Sequence, residues 1–348
     1  MGRLQIERDV PLAPLTSLEL GGSARFFVRV QTEEELREAL GWARDEAVEA
    51  RVLGGGSNLI VPDEGYRGLV VQMGLCEARY GERGQAEIGA GLTWESVVQH
   101  AVERDWAGIE CLTGIPGSAG ATPVQNVGAY GQEVAEVIRS VRAIRTDSLE
   151  PEELEPSACR FSYRDSVFKQ QPGTWVVSAI TLQLRPAGAP TLRYAELQRN
   201  VSERASLREV RDAVLTLRRR KSMVLEASDP NRRSAGSFFL NPIVSAFQAE
   251  RVIETALSQN LVQSPDELPQ YPSSEGRVKL AAGWLIERSG CHKGMRRGPI
   301  GISSKHALAL VHHGGGSTAE LLAFAEEIES RVLERFGVAL SREPRLLT

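Results

Sequence analysis

Apolar residues recur along the chain with two periods, which predict an alternation of short strands and amphipathic helices. After Thr32, apolar residues from Leu36 to Ala43 recur at helical spacing and predict a first helix. Thr32 and Glu35 form a capping box at its start. The predicted strands are residues 24–30, 52–53, 59–61, 69–73, 86–89, 137–144 and 175–184. Beyond that first helix, the predicted helices are residues 94–104, 207–222, 245–259, 279–289 and 318–336, with Thr93 and Ser317 as N-caps and Gly290 and Gly337 as stops.

Residues 114–131 follow neither period. This segment, the central loop, holds five glycines and two prolines, so it must be a long irregular backbone. Successive backbone N–H groups in such turns form anion-binding concavities, and Gln125, Asn126 and Tyr130 add hydrogen-bonding side chains. A plain surface loop is the alternative; disorder is disfavoured by the apolar flanks.

A second glycine segment, residues 54–58, lies between two short apolar strands. Triple glycine is often a flexible linker, but this position favours a tight turn that contacts phosphate. No G-x-G-x-x-G motif opens a helix here, which argues against a nicotinamide-binding Rossmann domain.

Composition excludes several classes of protein. At 348 residues with 42% hydrophobic and 25% charged residues, the chain is expected to form two or three globular domains. A net charge of −4 argues against a nucleic-acid binder, and neither a membrane span nor a signal peptide is predicted. The four cysteines and five histidines lack ligand spacing, so we expect a cytoplasmic protein without metal or disulfides.

Four further segments carry information about the fold or the site. Residues 150–158 are acidic with two prolines and are expected to be a surface connection. Residues 159–169 interleave aromatic and charged side chains, which is compatible with an ordinary half-exposed loop in which Arg164 pairs with Asp165. The basic run 218–221 suits either a solvated helix end or a diphosphate. In residues 236–242 a serine stands beside two phenylalanines; a backbone hydrogen bond is its commonest role, and no histidine partner is evident.

Five of these blocks occur in an order that resembles the UDP-N-acetylenolpyruvoylglucosamine reductase family, from about Leu18 to Arg345. They are Leu-Gly-Gly-Gly-Ser-Asn (53–58), Pro-Gly-Ser-Ala-Gly…Gly-Ala-Tyr-Gly (116–131), Tyr-Arg-Asp-Ser-Val-Phe-Lys (163–169), Gly-Ser-Phe-Phe-Leu-Asn-Pro (236–242) and Lys-Leu-Ala-Ala-Gly-Trp-Leu-Ile-Glu (279–287).

The resemblance implies an α+β fold of the vanillyl-alcohol-oxidase (PCMH) type, in two FAD-binding subdomains with a third substrate-binding domain. The implied borders are residues 1–74, with the tail 339–348 near them, then 75–220 and 221–338. It also implies non-covalent FAD, NADPH as co-substrate and UDP-N-acetylglucosamine enolpyruvate as substrate, which is reduced to UDP-N-acetylmuramate for peptidoglycan synthesis. A monomer without nucleic-acid or membrane partners is expected.

The family's functional residues transfer onto named positions of this chain. The implied FAD contacts are Gly54, Gly55, Gly56, Ser57, Asn58, Gly117, Ser118, Gly120, Ala121, Thr122, Gln125, Asn126 and Gly128. The implied catalytic residues are Arg164, Ser237 and Glu343. The implied substrate contacts are Tyr163, Tyr194, Lys221 and Asn241, with Tyr194 as the tyrosine that folds over the substrate in the longer form of the family.

The implied roles suit the residue types. Arg164 can stabilise enolate charge with a forked guanidinium, a protonated Glu343 can donate to the same carboxylate, and Ser237 is placed by resemblance as proton donor. The family often has Glu-Pro-Glu near its end, whereas this chain has Ser341-Arg-Glu343. Glu343 is therefore the only candidate for the catalytic glutamate there. No contact is transferred onto the irregular stretch 289–297.

Two other functions stay open on the residues alone. One is a flavin oxidase of the same fold that uses oxygen, although residues 112–131 hold no histidine or cysteine to tether the flavin. The other is a nucleotide-binding or scaffolding protein without activity.

Overall fold

The structure, a computed structural model, describes residues 4–273 and 276–348. Its helices within these ranges are α1 (Glu33–Asp45), α2 (Trp94–Glu103), α3 (Pro156–Cys159), α4 (Val167–Gln170), α5 (Ala195–Gln198), α6 (Leu207–Arg220), α7 (Ala246–Ser258), α8 (Ala282–Arg288) and α9 (Thr318–Phe336). The first strands are β1 (Glu7–Pro11), β2 (Ser23–Val30), β3 (Ala50–Leu53), β4 (Leu59–Ile60), β5 (Tyr66–Met73), β6 (Ala78–Tyr80), β7 (Gln85–Gly89), β8 (Trp106–Ala107), β9 (Gly128–Ala129), β10 (Gln132–Glu133) and β11 (Ile138–Arg145). The remaining strands are β12 (Pro151–Leu154), β13 (Trp175–Gln183), β14 (Arg185–Pro186), β15 (Ile243–Val244), β16 (Gln270–Pro272), β17 (Val278–Leu280), β18 (Arg296–Arg297), β19 (Ile300–Ile302), β20 (Leu310–His312) and β21 (Arg345–Leu346).

The chain forms two compact units. Unit 1 contains the residues up to Pro11, then Ser23–Gly56 and Gly65–Leu225. Unit 2 contains Leu12–Gly22, Ser57–Glu64 and Glu226–Thr348. The three-domain borders implied by the resemblance stay a prediction.

Unit 1 contains a four-stranded sheet of order β1-β2-β5-β3, in which β5 runs parallel to both β2 and β3. Parallel neighbours need a crossover, and α1 supplies it between β2 and β3. The helix begins as its sequence predicts, because the Thr32 hydroxyl accepts a hydrogen bond from the Glu35 amide at 3.1 Å. Its buried face, which includes Leu36, contacts a core shared with both large sheets of the unit.

The second sheet of unit 1 is antiparallel, in the order β12-β11-β13-β7-β6. It corrects the expectation that residues 150–158 are only a surface connection. Residues 151–154 form its edge strand β12, and α3 follows directly. Leu154 and Cys159 are buried, and these two apolar contacts hold the acidic segment on the sheet; Pro151 is tolerated because it opens an edge strand.

The described part of unit 2 consists of helices α7, α8 and α9 and several small sheets. Helices α7, α8 and α9 share an apolar core with the sheet β18-β19-β20. Ser317 and Glu320 form the predicted capping box of α9, and Gly337 ends it in the left-handed conformation at φ 65°. The helix predicted to begin at residue 279 begins at Ala282 instead, because residues 278–280 pair with β15 and β16 as strand β17.

Within the described ranges, no helix is both long and apolar enough to cross a membrane. The same ranges hold no group of three histidine, cysteine or acidic side chains arranged for a metal ion.

Candidate active site

In unit 1 the two glycine segments lie directly against each other. A Cβ atom on Gly55 would stand 2.7 Å from the Cα atom of Gly117, and one on Gly54 would overlap the hydroxyl of Ser118. Glycine is therefore required here by the close approach of two backbones. Gly117 itself has φ 125°, a conformation that side chains disfavour. Two facing glycine backbones leave amides free of side-chain cover, which fits the pyrophosphate of a dinucleotide.

The next residues of the central loop are fixed by hydrogen bonds to the segment that directly follows strand β7. Ala119 and Gly120 donate backbone hydrogen bonds to the carbonyls of Leu92 and Ala90, at 2.8 and 2.9 Å. A side chain on Gly120 would overlap Ala90. The hydroxyl of Thr122 donates to the carbonyl of Ala119 at 2.7 Å. Gly120 and Thr122 thus give the loop its shape, in addition to their implied contact with FAD.

Asn126 has a similar internal role. Its buried side-chain amide donates to the Glu133 carboxylate at 2.7 Å and to the carbonyl of Ser162 at 3.1 Å, and its oxygen accepts from the Ala135 amide at 3.2 Å. These three bonds close the loop on itself and on the Tyr-Arg-Asp block. Of the other implied flavin contacts, Ala121 is exposed and Gln125 half-buried.

The Tyr-Arg-Asp block forms a tight turn. Ser162 and Asp165 exchange backbone hydrogen bonds of 3.1 and 3.2 Å, which leaves Tyr163 and Arg164 at the tip. Arg164 has φ 54°, and its guanidinium carbon lies 5.3 Å from the centre of the Tyr163 ring. Left-handed residues at the tips of turns recur at functional sites, which favours the functional interpretation of this block.

This turn is attached to the central loop. The guanidinium of Arg164 donates to the carbonyl of Gly128, and the hydroxyl of Ser166 donates to the carbonyl of Val124 at 2.6 Å. Lys169 donates to the carbonyl of Arg164 at 2.7 Å. The structure thus brings together an implied catalytic arginine and an implied flavin loop that lie 36 residues apart in the chain.

A third group of implied residues lies around the start of α5 and the end of α6. Tyr194 precedes α5, is 40% exposed, and contacts the Tyr130 ring edge-on at 5.3 Å. Lys221 caps α6 and donates to the Glu196 carboxylate at 2.7 Å. Burial raises the pKa of Tyr130 to about 12, so its phenol stays neutral at physiological pH and can donate a hydrogen bond.

Arg218, on the same helix end, is buried rather than solvated. Its guanidinium donates to the carbonyl of Met223 at 2.7 Å, and its Nε atom has no partner among the described residues. Burial lowers its pKa to about 10, and it remains charged at neutral pH. The simple interpretation of residues 218–221 as a solvated basic helix end is therefore wrong for Arg218.

Sequence reasoning missed the buried acid Glu110. This carboxylate accepts from the amides of Gly108 and Thr191, each at 2.7 Å, and from the side chain of Gln132 at 2.8 Å. It ties the end of the central loop to the segment that leads to Tyr194. What distinguishes Glu110 is its complete burial in the structure. The burial of a single acidic residue cannot be predicted from the sequence.

In unit 2 the segment that carries Ser237 is fixed on both sides. Phe238 donates its amide to the carbonyl of Leu308 at 2.7 Å, and its carbonyl accepts from the amide of Glu343 at 2.9 Å. Phe238 and Phe239 are buried edge to face at 5.2 Å, so the backbone next to Ser237 is anchored in the core. The structure thereby brings together two implied catalytic residues, Ser237 and Glu343.

The structure also supplies the histidine that the sequence did not reveal. The Nε2 atom of His306 lies 3.5 Å from the Ser237 hydroxyl oxygen, across 69 residues of chain. This partner was not evident from the sequence, and the structure shows it. The backbone hydrogen bond between Phe238 and Leu308 holds the two segments together, and no local sequence pattern indicates this contact.

The chain around Glu343 is joined to the second half of the 54–58 segment. The side-chain amide of Asn58 donates to the Glu343 carbonyl at 3.4 Å, and β21 pairs in parallel with β4. Asn241, an implied substrate residue, accepts a 2.9 Å hydrogen bond from the amide of Ala282. It therefore supplies an acceptor at the start of α8, where amides are otherwise unpaired.

Comparisons with known proteins identify the chain as an FAD-binding flavoprotein. The sequence model of the FAD binding domain family matches residues 24–148. The model of the UDP-N-acetylenolpyruvoylglucosamine reductase C-terminal domain matches residues 229–347.

Similarity to individual proteins extends over nearly the whole chain. The reductase of Thermobifida fusca is 42% identical over 98% of this chain and 97% of its own length. That of Pseudomonas aeruginosa is 38% identical over 99% of both. The crystal structure of the reductase from Thermus caldophilus matches with a TM-score of 0.69 and 26% identity, over 99% of this chain and 100% of that one. The chain belongs to the UDP-N-acetylenolpyruvoylglucosamine reductase family.

Membership confirms the family, the flavoprotein fold class and the FAD-dependent oxidoreductase class predicted from the sequence. The individual site residues stay predictions, and the roles given to them below are proposals.

Proposed function

We propose that this protein reduces UDP-N-acetylglucosamine enolpyruvate to UDP-N-acetylmuramate with NADPH, by means of non-covalently bound FAD. One observation carries the proposal. The Tyr163–Arg164 turn is fixed to the glycine-rich central loop through Gly128, so a strong cation stands beside the segment that fits a flavin dinucleotide.

The residues present fit FAD. Where Gly54–Gly55 meets Gly117–Ser118, the absence of side chains leaves backbone amides exposed that would hold its pyrophosphate. When bound, FAD would take a hydride from NADPH and deliver it to the enolpyruvyl group. The central loop offers amides and hydroxyls but no histidine or cysteine. Acid precipitation should therefore release the yellow colour into the supernatant; flavin that stays with the pellet would contradict non-covalent binding.

Arg164 stabilises the negative charge that develops on the substrate. An enolpyruvyl group that has gained a hydride carries this charge on C2 and on its carboxylate, and a planar guanidinium can meet carboxylate oxygens with two parallel hydrogen bonds. The left-handed turn and the Tyr163 ring hold the Arg164 side chain in place before the substrate arrives.

Ser237 donates the proton that C2 requires, and Glu343 in its protonated form donates a hydrogen bond to the substrate carboxylate. Both stand on backbone that is bonded to Phe238, which limits their movement. A proton donor held in this way accelerates a reaction by about 10²–10⁴-fold.

Tyr163, Tyr194, Lys221 and Asn241 bind the nucleotide sugar. Lys221 meets the diphosphate as a point charge, in exchange for its present partner Glu196. Tyr194 has the exposed ring that can cover a sugar or base.

We further propose that the protein acts as a cytoplasmic monomer in cell-wall synthesis, and so in cell shape and division. Its domain borders are proposed to be residues 74, 220 and 338.

The test is NADPH oxidation by the purified yellow protein. Absorbance at the nicotinamide band should fall only when UDP-N-acetylglucosamine enolpyruvate is added, and mass spectrometry should show one UDP-N-acetylmuramate per NADPH. Oxidation that consumes oxygen and ignores the enolpyruvyl sugar would favour the flavin oxidase. A protein that binds nucleotides and oxidises nothing would favour the scaffold.

A further inference from the structure

The proton that Ser237 gives away has to be replaced, and the structure shows one source. Within the described part of the chain, the His306 ring is the side chain within hydrogen-bond distance of the Ser237 hydroxyl, with Nε2 at 3.5 Å. An isolated serine hydroxyl is a poor acid, so it donates a proton readily only if another group supplies one to its oxygen at the same time.

The contact depends on two well-fixed segments. His306 lies in a loop closed at its base by the amide of Ser303, which donates to the carbonyl of Ala309 at 2.8 Å. Within the loop, Ala309 donates to the carbonyl of His306 at 3.2 Å. The Ser237 segment is joined to this loop, because the Phe238 amide donates to the carbonyl of Leu308 at 2.7 Å. Ring and hydroxyl are therefore held near each other by backbone hydrogen bonds.

Chemistry decides the direction of the hydrogen bond. If the ring accepted the serine proton, that proton would point away from the substrate. If the ring donates from Nε2, the serine oxygen accepts, and its own proton is free to point at C2. A neutral ring that gave up this proton would become an anion, so the donor form must be the imidazolium.

We propose that His306 acts through Ser237, as the residue that orients its hydroxyl and restores its proton. The bond from Ser237 oxygen to hydrogen breaks as the new C2–H bond forms, and a proton from Nε2 of His306 makes the serine O–H bond again. The imidazolium becomes neutral imidazole and regains its proton from water, which supplies the proton that the overall reduction consumes. This inference rests on the proposed function.

Lys305 precedes His306, and its ammonium lies 3.6 Å from the Asp229 carboxylate, which compensates it. Glu343 is bonded through its amide to the segment of Ser237. Because the proposal requires the imidazolium, re-oxidation should slow as the pH rises.

The experiment uses holoenzyme and separates the two half-reactions by stopped flow. In His306→Ala, the reduction of flavin by NADPH should stay within about 2-fold of wild type, while re-oxidation by the enolpyruvyl sugar should slow by about 10–100-fold. His306→Gln can still donate a hydrogen bond, so it should recover part of the rate but lose the decline with pH. His292→Gln, an exposed histidine of the same unit, is the matched control and should leave both rates unchanged.

A double-mutant cycle tests whether the effect passes through the serine. In a Ser237→Ala background, His306→Ala should slow re-oxidation by less than about 2-fold more, since the serine it serves is gone. Equal slowing in both backgrounds, or equal slowing of both half-reactions, would overturn the proposal. Flavin content and thermal unfolding of each variant show whether it is folded.

A wild-type-like His306→Ala would also overturn the inference but leave the proposed function intact. The proposed function fails separately, if reduced wild-type enzyme is not re-oxidised by the enolpyruvyl sugar.

Discussion

The segment from Thr191 to Gln198 is held by a carboxylate at each end, and the two attachments differ. Near its start, buried Glu110 accepts three hydrogen bonds and none of its three partners carries a charge. Near its end, Glu196 makes an ion pair with Lys221, and both side chains are more than a third exposed. The first attachment cannot be exchanged without orphaning buried donors, whereas water or a ligand phosphate can replace the second. Tyr194 lies between them, so one end of its segment is fixed and the other can respond to a ligand.

The largest effect is expected at the buried end. Glu110→Ala leaves the amides of Gly108 and Thr191 and the side chain of Gln132 without an acceptor. Because each orphaned donor costs about 1–3 kcal/mol, the free energy of unfolding in urea should fall by about 3 kcal/mol or more. Glu136→Gln, on an exposed ion pair, should change it by about 0.5 kcal/mol at most. Equal losses in the two variants would mean that the buried network is not stabilising.

The next effect is at the exchangeable end. Lys221→Ala should raise the KM for the sugar nucleotide about 10–100-fold, the worth of a charge-assisted hydrogen bond to phosphate. Flavin content and unfolding should stay near wild type. Arg220→Ala, which removes the neighbouring exposed cation, should change KM by less than about 2-fold. If Lys221→Ala purified without flavin, the lysine would belong to the cofactor site.

A smaller effect is expected for Tyr194→Ala. Loss of an exposed ring that contacts Tyr130 removes about 0.5–1.5 kcal/mol of aromatic interaction, so KM for the sugar nucleotide should rise about 2–10-fold. Tyr194→Phe keeps the ring and should recover most of this loss if the ring covers the ligand. An unchanged KM in Tyr194→Ala would remove this residue from the substrate site.

The smallest effect should have the opposite sign. Glu196→Gln removes the intramolecular competitor for Lys221, so KM should fall by about 1.4–5-fold, which corresponds to the 0.2–1 kcal/mol of an exposed ion pair. The gain should shrink at high salt, where the wild-type pair is already screened. A KM that rises in Glu196→Gln would show that this carboxylate contributes to substrate binding.

Local signals predicted much of the fold. The bounds of α9 follow from Ser317 at one end and Gly337 at the other, and glycine density alone identified residues 114–131 as irregular backbone. Predictions failed where a distant partner decides the structure. Residues 278–280 became a strand because β15 and β16 pair with them, and the acidic segment after residue 150 became an edge strand beside β11.

The same distinction applies to the site. Family motifs named Arg164 and Ser237, since each lies in a contiguous block. Glu110 and His306 were missed, because their importance depends on burial and on contacts across the chain. The pair of Ser237 and His306 spans 69 residues and exists only through the backbone bonds of its two segments.

The most direct test of the account is a single turnover of Ser237→Ala under anaerobic conditions. NADPH should bleach the flavin of this variant at nearly the wild-type rate, because that half-reaction requires no protein acid. Addition of UDP-N-acetylglucosamine enolpyruvate should then restore the flavin colour at least ~100-fold more slowly than in wild type, with partial recovery in Ser237→Cys. If Ser237→Ala slows both half-reactions equally, the serine only shapes the site and the account of its proton transfer is contradicted.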